Sequence, residues 1–248
     1  GVLALREVEQ TYRHKFGYSL GYTRTDFQMD ETNNEDQADT IQLGLHNKYS
    51  INGWDIKNDL LGRVSFHDVD RSIDWSGGTR SEMNSNYNVY GVSSLNELGK
   101  DLEISRNAKV TPYVGLELGY MMHPSFEEKG GAESLKVDSN DAYSIKPNVG
   151  IRLDGEKEFG ATSSWKVKGN IGVGYEYELG NMNNQEKVSL VTIEDGYHDL
   201  AKAAEDKGRI KTSGYAGVEL KETYGIYVTG EYGIGEDNQE DYKVGITL

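Results

Sequence analysis

The sequence lacks cysteine, has little proline and contains no long apolar run. Among its 248 residues there is no cysteine and there are three prolines. The absence of cysteine excludes disulfide bonds and thiolate metal sites. A transmembrane helix needs about 20 consecutive apolar residues, and none exists in this chain, whose mean hydropathy is −0.68. A transmembrane β-barrel remains possible, because only every second residue of its strands faces lipid.

Basic residues are also scarce. The chain has 26 Lys and Arg against 41 Asp and Glu, a net charge of −15, which argues against nucleic-acid binding because phosphates need a basic surface. Glycine (30) and tyrosine (17) are abundant instead, and tyrosine suits positions between apolar and wet surroundings. With no signal peptide or initiator Met, we expect a mature, excised or internal segment.

Apolar and polar residues alternate along most of the chain, which is the pattern of a strand with two unlike faces. In the clearest segment, Val114 and Leu116 alternate with Gly115 and Glu117. The alternation predicts eleven strands, at 2–12, 15–27, 38–50, 54–67, 83–96, 107–122, 140–155, 162–179, 209–221, 223–234 and 239–248.

Some segments leave alternatives open. In 83–96 two apolar sets compete, and a bulge would reconcile them. Pro112 and Pro147 lie inside good strand patterns, and each predicts a bulge or a local gap in pairing, because proline cannot donate to a ladder. Lys187–Ile193 is a possible further strand that would change the count.

The connections between the predicted strands alternate between short and long. The short ones lie near Arg13–His14, Ile51–Gly53, Glu97–Arg106, Glu156–Ala161 and Lys221–Glu222. The long ones are Gln28–Gln37, Asp68–Glu82, His123–Ser139, Gly180–Gly208 and Ile234–Asn238. Strict alternation puts all long connections at one end, as in outer-membrane barrels with short periplasmic turns and longer extracellular loops.

The two faces of the strands differ in charge. Charges are missing from the apolar face, where a charge at mid-bilayer costs about 2–4 kcal/mol. We therefore predict an all-β, antiparallel up-and-down transmembrane β-barrel. Residues expected to face lipid are Leu20, Leu116, Val149, Val173 and Val228. Residues expected to line the pore are Asp59, Arg63, Glu117, Arg152, Lys166, Lys168, Glu176, Glu178, Glu219 and Glu231.

Two alternatives accompany this assignment of faces. A soluble sandwich or lipocalin would turn the apolar side inward. Within a barrel, the luminal charges either satisfy one another structurally or form a wall that never binds a passing chain tightly, and both can hold together.

No motif for catalysis is present. The sequence contains no GxSxG elbow, P-loop or HExxH. The five histidines are scattered, and His46 is expected to be a polar residue of the lumen rather than a catalyst. We expect no enzymatic activity, no metal site and no cofactor.

Four segments resemble the strands of autotransporter β-domains, in order and spacing across nearly the whole chain. They are Phe16-Gly-Tyr-Ser-Leu-Gly-Tyr-Thr23, Val110-Thr-Pro-Tyr-Val-Gly-Leu116, Asn148-Val-Gly-Ile-Arg-Leu153 and Gly172-Val-Gly-Tyr-Glu-Tyr-Glu-Leu-Gly180. The resemblance implies a twelve-stranded barrel in the bacterial outer membrane that anchors a secreted passenger and helps to move it to the cell surface (type V secretion).

The resemblance also implies partners. These are the chain's own passenger, whose linker threads the lumen, outer-membrane lipid and lipopolysaccharide, and the barrel-assembly machinery, which reads the last strand. A general porin or channel, a surface adhesin barrel and an outer-membrane hydrolase remain alternative functions.

The end of the chain resembles the family's assembly signal, carried here by Gly245 and Leu248. On that register the signal's terminal aromatic residue lies two positions past Leu248. Single-chain bacterial barrels normally have an even number of strands, whereas eleven are predicted. We therefore expect 1–248 to be one translocator domain lacking its first strand and its terminal aromatic residue.

Overall fold

The computed structural model describes residues 1–11, 13–29, 34–160, 164–181, 185–193, 196–200, 207–221, 224–236 and 239–247. These residues form sixteen strands: β1 Val2–Gln10, β2 His14–Met29, β3 Asn34–Ile51, β4 Trp54–Asp74, β5 Arg80–Lys100, β6 Leu102–Ser105, β7 Ala108–His123, β8 Phe126–Glu127, β9 Leu135–Val137, β10 Asn140–Phe159, β11 Trp165–Tyr177, β12 Lys187–Leu190, β13 His198–Asp199, β14 Gly208–Leu220, β15 Tyr224–Gly235 and β16 Glu240–Thr247. Within the described ranges, no helix is long and apolar enough to span a membrane.

The eleven long strands form one curled antiparallel sheet in the order β1-β2-β3-β4-β5-β7-β10-β11-β14-β15-β16. They correspond one to one with the eleven predicted strands, so the predicted antiparallel up-and-down architecture is confirmed. Each strand pairs with its nearest long neighbour in sequence, and β6 adds a short pairing to β7. Within the described residues, β1 and β16 do not pair with each other, so the sheet is open between them.

A second, four-stranded sheet has the order β13-β12-β9-β8. Its strands come from the connections between β7 and β10 and between β11 and β14. The possible strand at Lys187–Ile193 therefore exists, as β12, but it lies outside the main sheet and leaves the count of eleven unchanged. We call this second sheet, with the turn 128–134, the small sheet.

The strands extend further than their apolar patterns. Two connections predicted to be long, 28–37 and 68–82, are mostly strand, because β2 pairs with β3 out to Met29 and Asn34 and β4 pairs with β5 out to Asp74 and Arg80. The predicted connection 97–106 likewise contains the last residues of β5 and the whole of β6. Ladder hydrogen bonds join backbone groups, so pairing continues through polar residues.

The bulge predicted in 83–96 is wrong. The ladders of β5 with β4 and with β7 run without a register shift. Both sides of this strand are apolar for another reason: Tyr90 and Val92 are exposed on the outer side, while Tyr87 and Val89 line a cavity beside the small sheet.

Pro112 and Pro147 each lie where one ladder is interrupted, which is the predicted local gap in pairing. The β7–β10 ladder passes through Pro112 and Pro147 without a bulge. On the other edge of β7, pairing with β5 stops at Tyr113 and pairing with β6 starts at Val110. On the other edge of β10, pairing with β11 starts only at Asn148.

The main sheet carries its apolar side chains on the exposed face. Among the described residues, the buried apolar side chains are only Met83 and Ala142. Glycine and small polar residues such as Ser19, Thr111 and Ser144 are buried on the other face. A soluble sandwich has the opposite arrangement. The exposed set includes Leu20, Leu116, Val149, Val173 and Val228.

Candidate functional site: the luminal face

The polar face of the curled sheet is its concave, luminal side. Arg152 on β10 reaches Glu97 on β5 although β7 lies between these strands. Contacts between strands two apart are favoured on the inside of a curved sheet, where side chains converge. The luminal side is therefore the candidate functional site.

Glu97 is the centre of an ionic cluster on the luminal side. Its carboxylate accepts hydrogen bonds from both Nη atoms of Arg152, one at 2.7 Å, and lies 3.1 Å from Nζ of Lys57. The guanidinium of Arg152 also lies 4.4 Å from the ring centroid of Tyr113. Glu97 is nearly buried, and a buried carboxylate needs such compensation because desolvating a charge is costly.

Further opposite charges pair across neighbouring strands. Nζ of Lys168 lies 2.7 Å from Oε2 of Glu219, and the Tyr227 hydroxyl donates a hydrogen bond to Oε1 of the same carboxylate. Further pairs on this side include Lys211–Glu176 at 2.8 Å, Lys166–Glu158 at 3.5 Å and Lys243–Glu231 at 3.7 Å. Most of the predicted pore-lining charges thus have a partner of opposite sign.

Two predicted pore-lining residues differ from the rest. Arg63 and Glu117 form no ion pair within 4.0 Å with a described residue, and Nη2 of Arg63 lies 3.5 Å from Sδ of Met121. Both line a cavity of about 260 Å³, together with Lys146. Lys146 in turn lies 3.9 Å from Glu178.

Glu178 joins the end of β11 to β10. Its carboxylate accepts hydrogen bonds from the Ser144 hydroxyl at 2.6 Å and from the backbone N–H groups of Gly180 and Ile145 at 2.7 and 3.0 Å. Burial acts to raise the pKa of Glu178, but these hydrogen bonds outweigh it and hold the pKa below its usual value. Glu178 stabilises a strand junction rather than an open pore wall.

Ser19, His46 and Asp59 form a hydrogen-bonded chain on three adjacent strands. Ser19 Oγ lies 2.7 Å from His46 Nε2, and His46 Nδ1 lies 2.9 Å from Asp59 Oδ1. The order matches a catalytic triad, but acyl transfer also needs free N–H donors for the oxyanion. Ser19 is buried in a strand paired on both sides, so the geometry favours a polar network of the wall.

Sequence reasoning missed Glu97, because it ended the fifth strand at residue 96 and placed Glu97 in a turn. The outward position of Leu98 continues the alternation of β5 and could have shown that Glu97 faces the lumen. Tyr113 and Lys211 were on predicted luminal sides, but their partners lie on other strands and no local pattern identifies them.

The predicted assembly signal is partly described. Gly245 pairs with Thr229 of β15, whereas Leu248 lies outside the described residues. Within the described part of the chain, no group of three or more His, Cys, Asp or Glu residues is arranged to hold a metal ion.

The chain matches a family model described as autotransporter beta-domain over residues 1–232. No curated protein sequence matches significantly. The structure is similar to the translocator domain of autotransporter NalP from Neisseria meningitidis, with a TM-score of 0.64 and 14% identity over 98% of this chain and 78% of that chain. It is also similar to the β domain of the Bordetella autotransporter BrkA, with a TM-score of 0.64 and 15% identity over 98% of this chain and 85% of that chain.

Proposed function

Because the chain belongs to the autotransporter β-domain family, we propose that its paired luminal charges form a wall along which an unfolded passenger moves without being held. The domain is a bacterial outer-membrane β-barrel that anchors an attached passenger and serves its translocation. The family match favours this function over a general porin or an adhesin barrel.

The observation that carries the proposal is the Glu97 cluster. Its carboxylate already binds Arg152 and Lys57, so neither cation is free to bind an acidic segment of the passenger. A moving chain then meets a polar surface whose strongest charges are matched. The cavity beside Arg63 and Glu117 offers weaker contacts.

The other partners follow from the surface of the barrel. The exposed apolar residues would contact outer-membrane lipid, and polar strand ends beyond them would meet lipopolysaccharide. The last strand, which contains Gly245, would bind the barrel-assembly machinery. Translocation would use no catalytic chemistry of this chain, because its family is a structural and transport domain.

We further propose that a twelfth strand completes the barrel between β1 and β16. The facing edges of these two strands are unpaired in the described structure. In hydrocarbon, each unsatisfied backbone group costs several kcal/mol, so an open edge is unstable there. A twelfth strand also restores the even number usual in bacterial barrels.

The test of the wall uses the full-length protein with its own passenger. Glu97→Gln leaves Arg152 and Lys57 as uncompensated cations and should slow the appearance of the passenger at the cell surface, measured by protease accessibility on intact cells. Replacing all three residues by Gln should restore much of the rate, because no free charge remains.

The matched control is Glu82→Gln, which removes an exposed partner of Arg80, 3.3 Å away at the start of β5, and should not slow display. Heat-modifiable gel mobility reports whether each variant is folded. Equal display rates in folded Glu97→Gln and parent protein would contradict the proposal.

A further inference from the structure

The small sheet lies across one end of the lumen. A cavity of about 800 Å³ separates it from the inner wall, lined on one side by Phe27 of β2 and Ala38 of β3 and on the other by Leu135 and Val188 of the small sheet. β12 comes from the connection between β11 and β14, far from β2 in strand order. The small sheet therefore crosses the mouth. This end carries the long connections and is extracellular.

A stack of aromatic rings joins the small sheet to the barrel wall. The ring of Phe126 stacks on Tyr87 with centroids 4.1 Å apart and an interplanar angle of 5°. Tyr87 stacks in turn on His67 at 4.8 Å. This stacking explains why the aromatic side chain of Tyr87 on β5 faces inward.

An ion pair fixes the same region. Arg71 of β4 donates from Nε and Nη2 to the two carboxylate oxygens of Glu128, at 2.8 and 2.6 Å, and from Nη2 to the carbonyl of Glu133 at 2.9 Å. Glu128 is buried, and it also accepts a hydrogen bond from the backbone N–H of Leu135 at 2.8 Å. We call the Arg71–Glu128 pair the latch.

A second anchor lies next to β12, where the Glu186 carboxylate is 3.0 Å from Nε2 of His123 on β7 and accepts a hydrogen bond from Asn140 of β10 at 2.9 Å. The strands of the small sheet pair with one another and not with the main sheet, apart from the bridge between Asn84 and Lys129, which exchange two backbone hydrogen bonds of 2.8 Å. Moving the small sheet outward would break the latch, this bridge, the stack and the contacts of Glu186, and would leave every ladder of the main sheet intact.

We propose that the small sheet is a lid that closes the extracellular mouth at rest, is held by the latch, and swings outward as a unit to let the passenger through. This rests on the proposed function, which supplies the chain that must pass. A closed mouth would keep solutes from crossing the outer membrane whenever no chain occupies the lumen. The bidentate, charge-assisted latch favours one closed position.

The experiment measures access to the lumen in cells that display the full-length protein. Ala38→Cys places a thiol in the cavity beneath the lid, and this cysteine-free domain contributes no background. A bulky, membrane-impermeant maleimide should label it slowly. Adding Arg71→Ala should raise the labelling rate about tenfold or more, since truncating one partner of a buried ion pair strongly destabilises the closed state.

Two further variants make the result specific. Glu128→Gln keeps the shape and an acceptor for Leu135 but removes the charge, and it should also raise the labelling rate. Lys136→Ala removes an exposed ion pair with Glu127 on the same sheet, at 3.4 Å, and should leave the rate at the parental level.

Equal labelling of the parent and both folded latch variants overturns the proposal, as does an equal increase in Lys136→Ala. Passenger display is measured in the same cells by surface proteolysis. Loss of display in the parent would refute the translocation function, whereas unchanged labelling with normal display would refute the lid alone.

Discussion

At the scale of single residues, glycines make room in the lumen for the side chains of neighbouring strands. Tyr113 reaches across the inner wall, over Gly150 of β10 and Gly174 of β11. A Cβ at position 150 would overlap the Tyr113 hydroxyl and lie 2.7 Å from the carbonyl of Val173, and a Cβ at 174 would lie 2.7 Å from the same hydroxyl. Glycine is required here by close approach.

Gly150→Ala should therefore destabilise the folded barrel by about 1–3 kcal/mol through overpacking. The matched control is Gly62→Ala in β4, where an added Cβ meets nothing within 4 Å. Urea unfolding followed by heat-modifiable gel mobility would measure the difference. Equal midpoints for the two variants would mean that Tyr113 moves aside at no cost.

Glu178 gives a pH dependence. Its pKa is lowered from 4.5 in the folded protein, where hydrogen bonds to the carboxylate outweigh burial. A lowered folded pKa contributes stability that is present above the unfolded value and lost as pH falls through the folded value. Glu178→Gln should thus lower the unfolding temperature at pH 7, and its deficit relative to the parent should shrink below pH 4.5. A deficit independent of pH would show that packing, not charge, is responsible.

At the scale of the element, each long strand has one face toward lipid and the other toward the aqueous lumen. Leu116 and Glu117 are neighbours on β7, and successive side chains point to opposite faces. We expect Glu117→Cys in native outer membranes to react with a small water-soluble thiol reagent and Leu116→Cys to remain protected by lipid. Mass spectrometry of β7 peptides reads both positions. Faster reaction at 116 than at 117 would mean that the faces are inverted.

Other strands show how far an element can depart from its own pattern. β5 has apolar residues on both sides because, in its extracellular half, the outer side faces lipid and the inner side faces the small sheet. Pro147 is tolerated in β10 because the ladder with β11 begins one residue later. In both cases a neighbouring element explains the residue, and the strand itself stays regular.

At the scale of the whole molecule, the open edge gives a geometric prediction. A twelfth strand would hold β1 and β16 two spacings apart, about 9.6 Å, whereas a disulfide needs Cα atoms within about 7 Å. Cysteine pairs joining Val2 or Ala4 to Val244 or Ile246 should not form disulfides in the full-length protein.

The positive control pairs Ala4→Cys with Leu20→Cys, which are direct partners in the β1–β2 ladder and should cross-link readily. Efficient cross-linking between β1 and β16 would show that the two strands pair directly and that the barrel closes with eleven.

The sequence by itself determined the eleven strands and their two faces, because alternation is local: each side chain meets lipid or water according to its own chemistry. It also predicted the family through four strand segments. Only the tertiary structure decided that Glu97 gathers Arg152 and Lys57, that Tyr113 fills the space over Gly150, and that two connections pair into a sheet across the mouth. Those contacts join residues far apart in the chain, and their existence depends on the curvature and register of the whole sheet, which no short pattern contains.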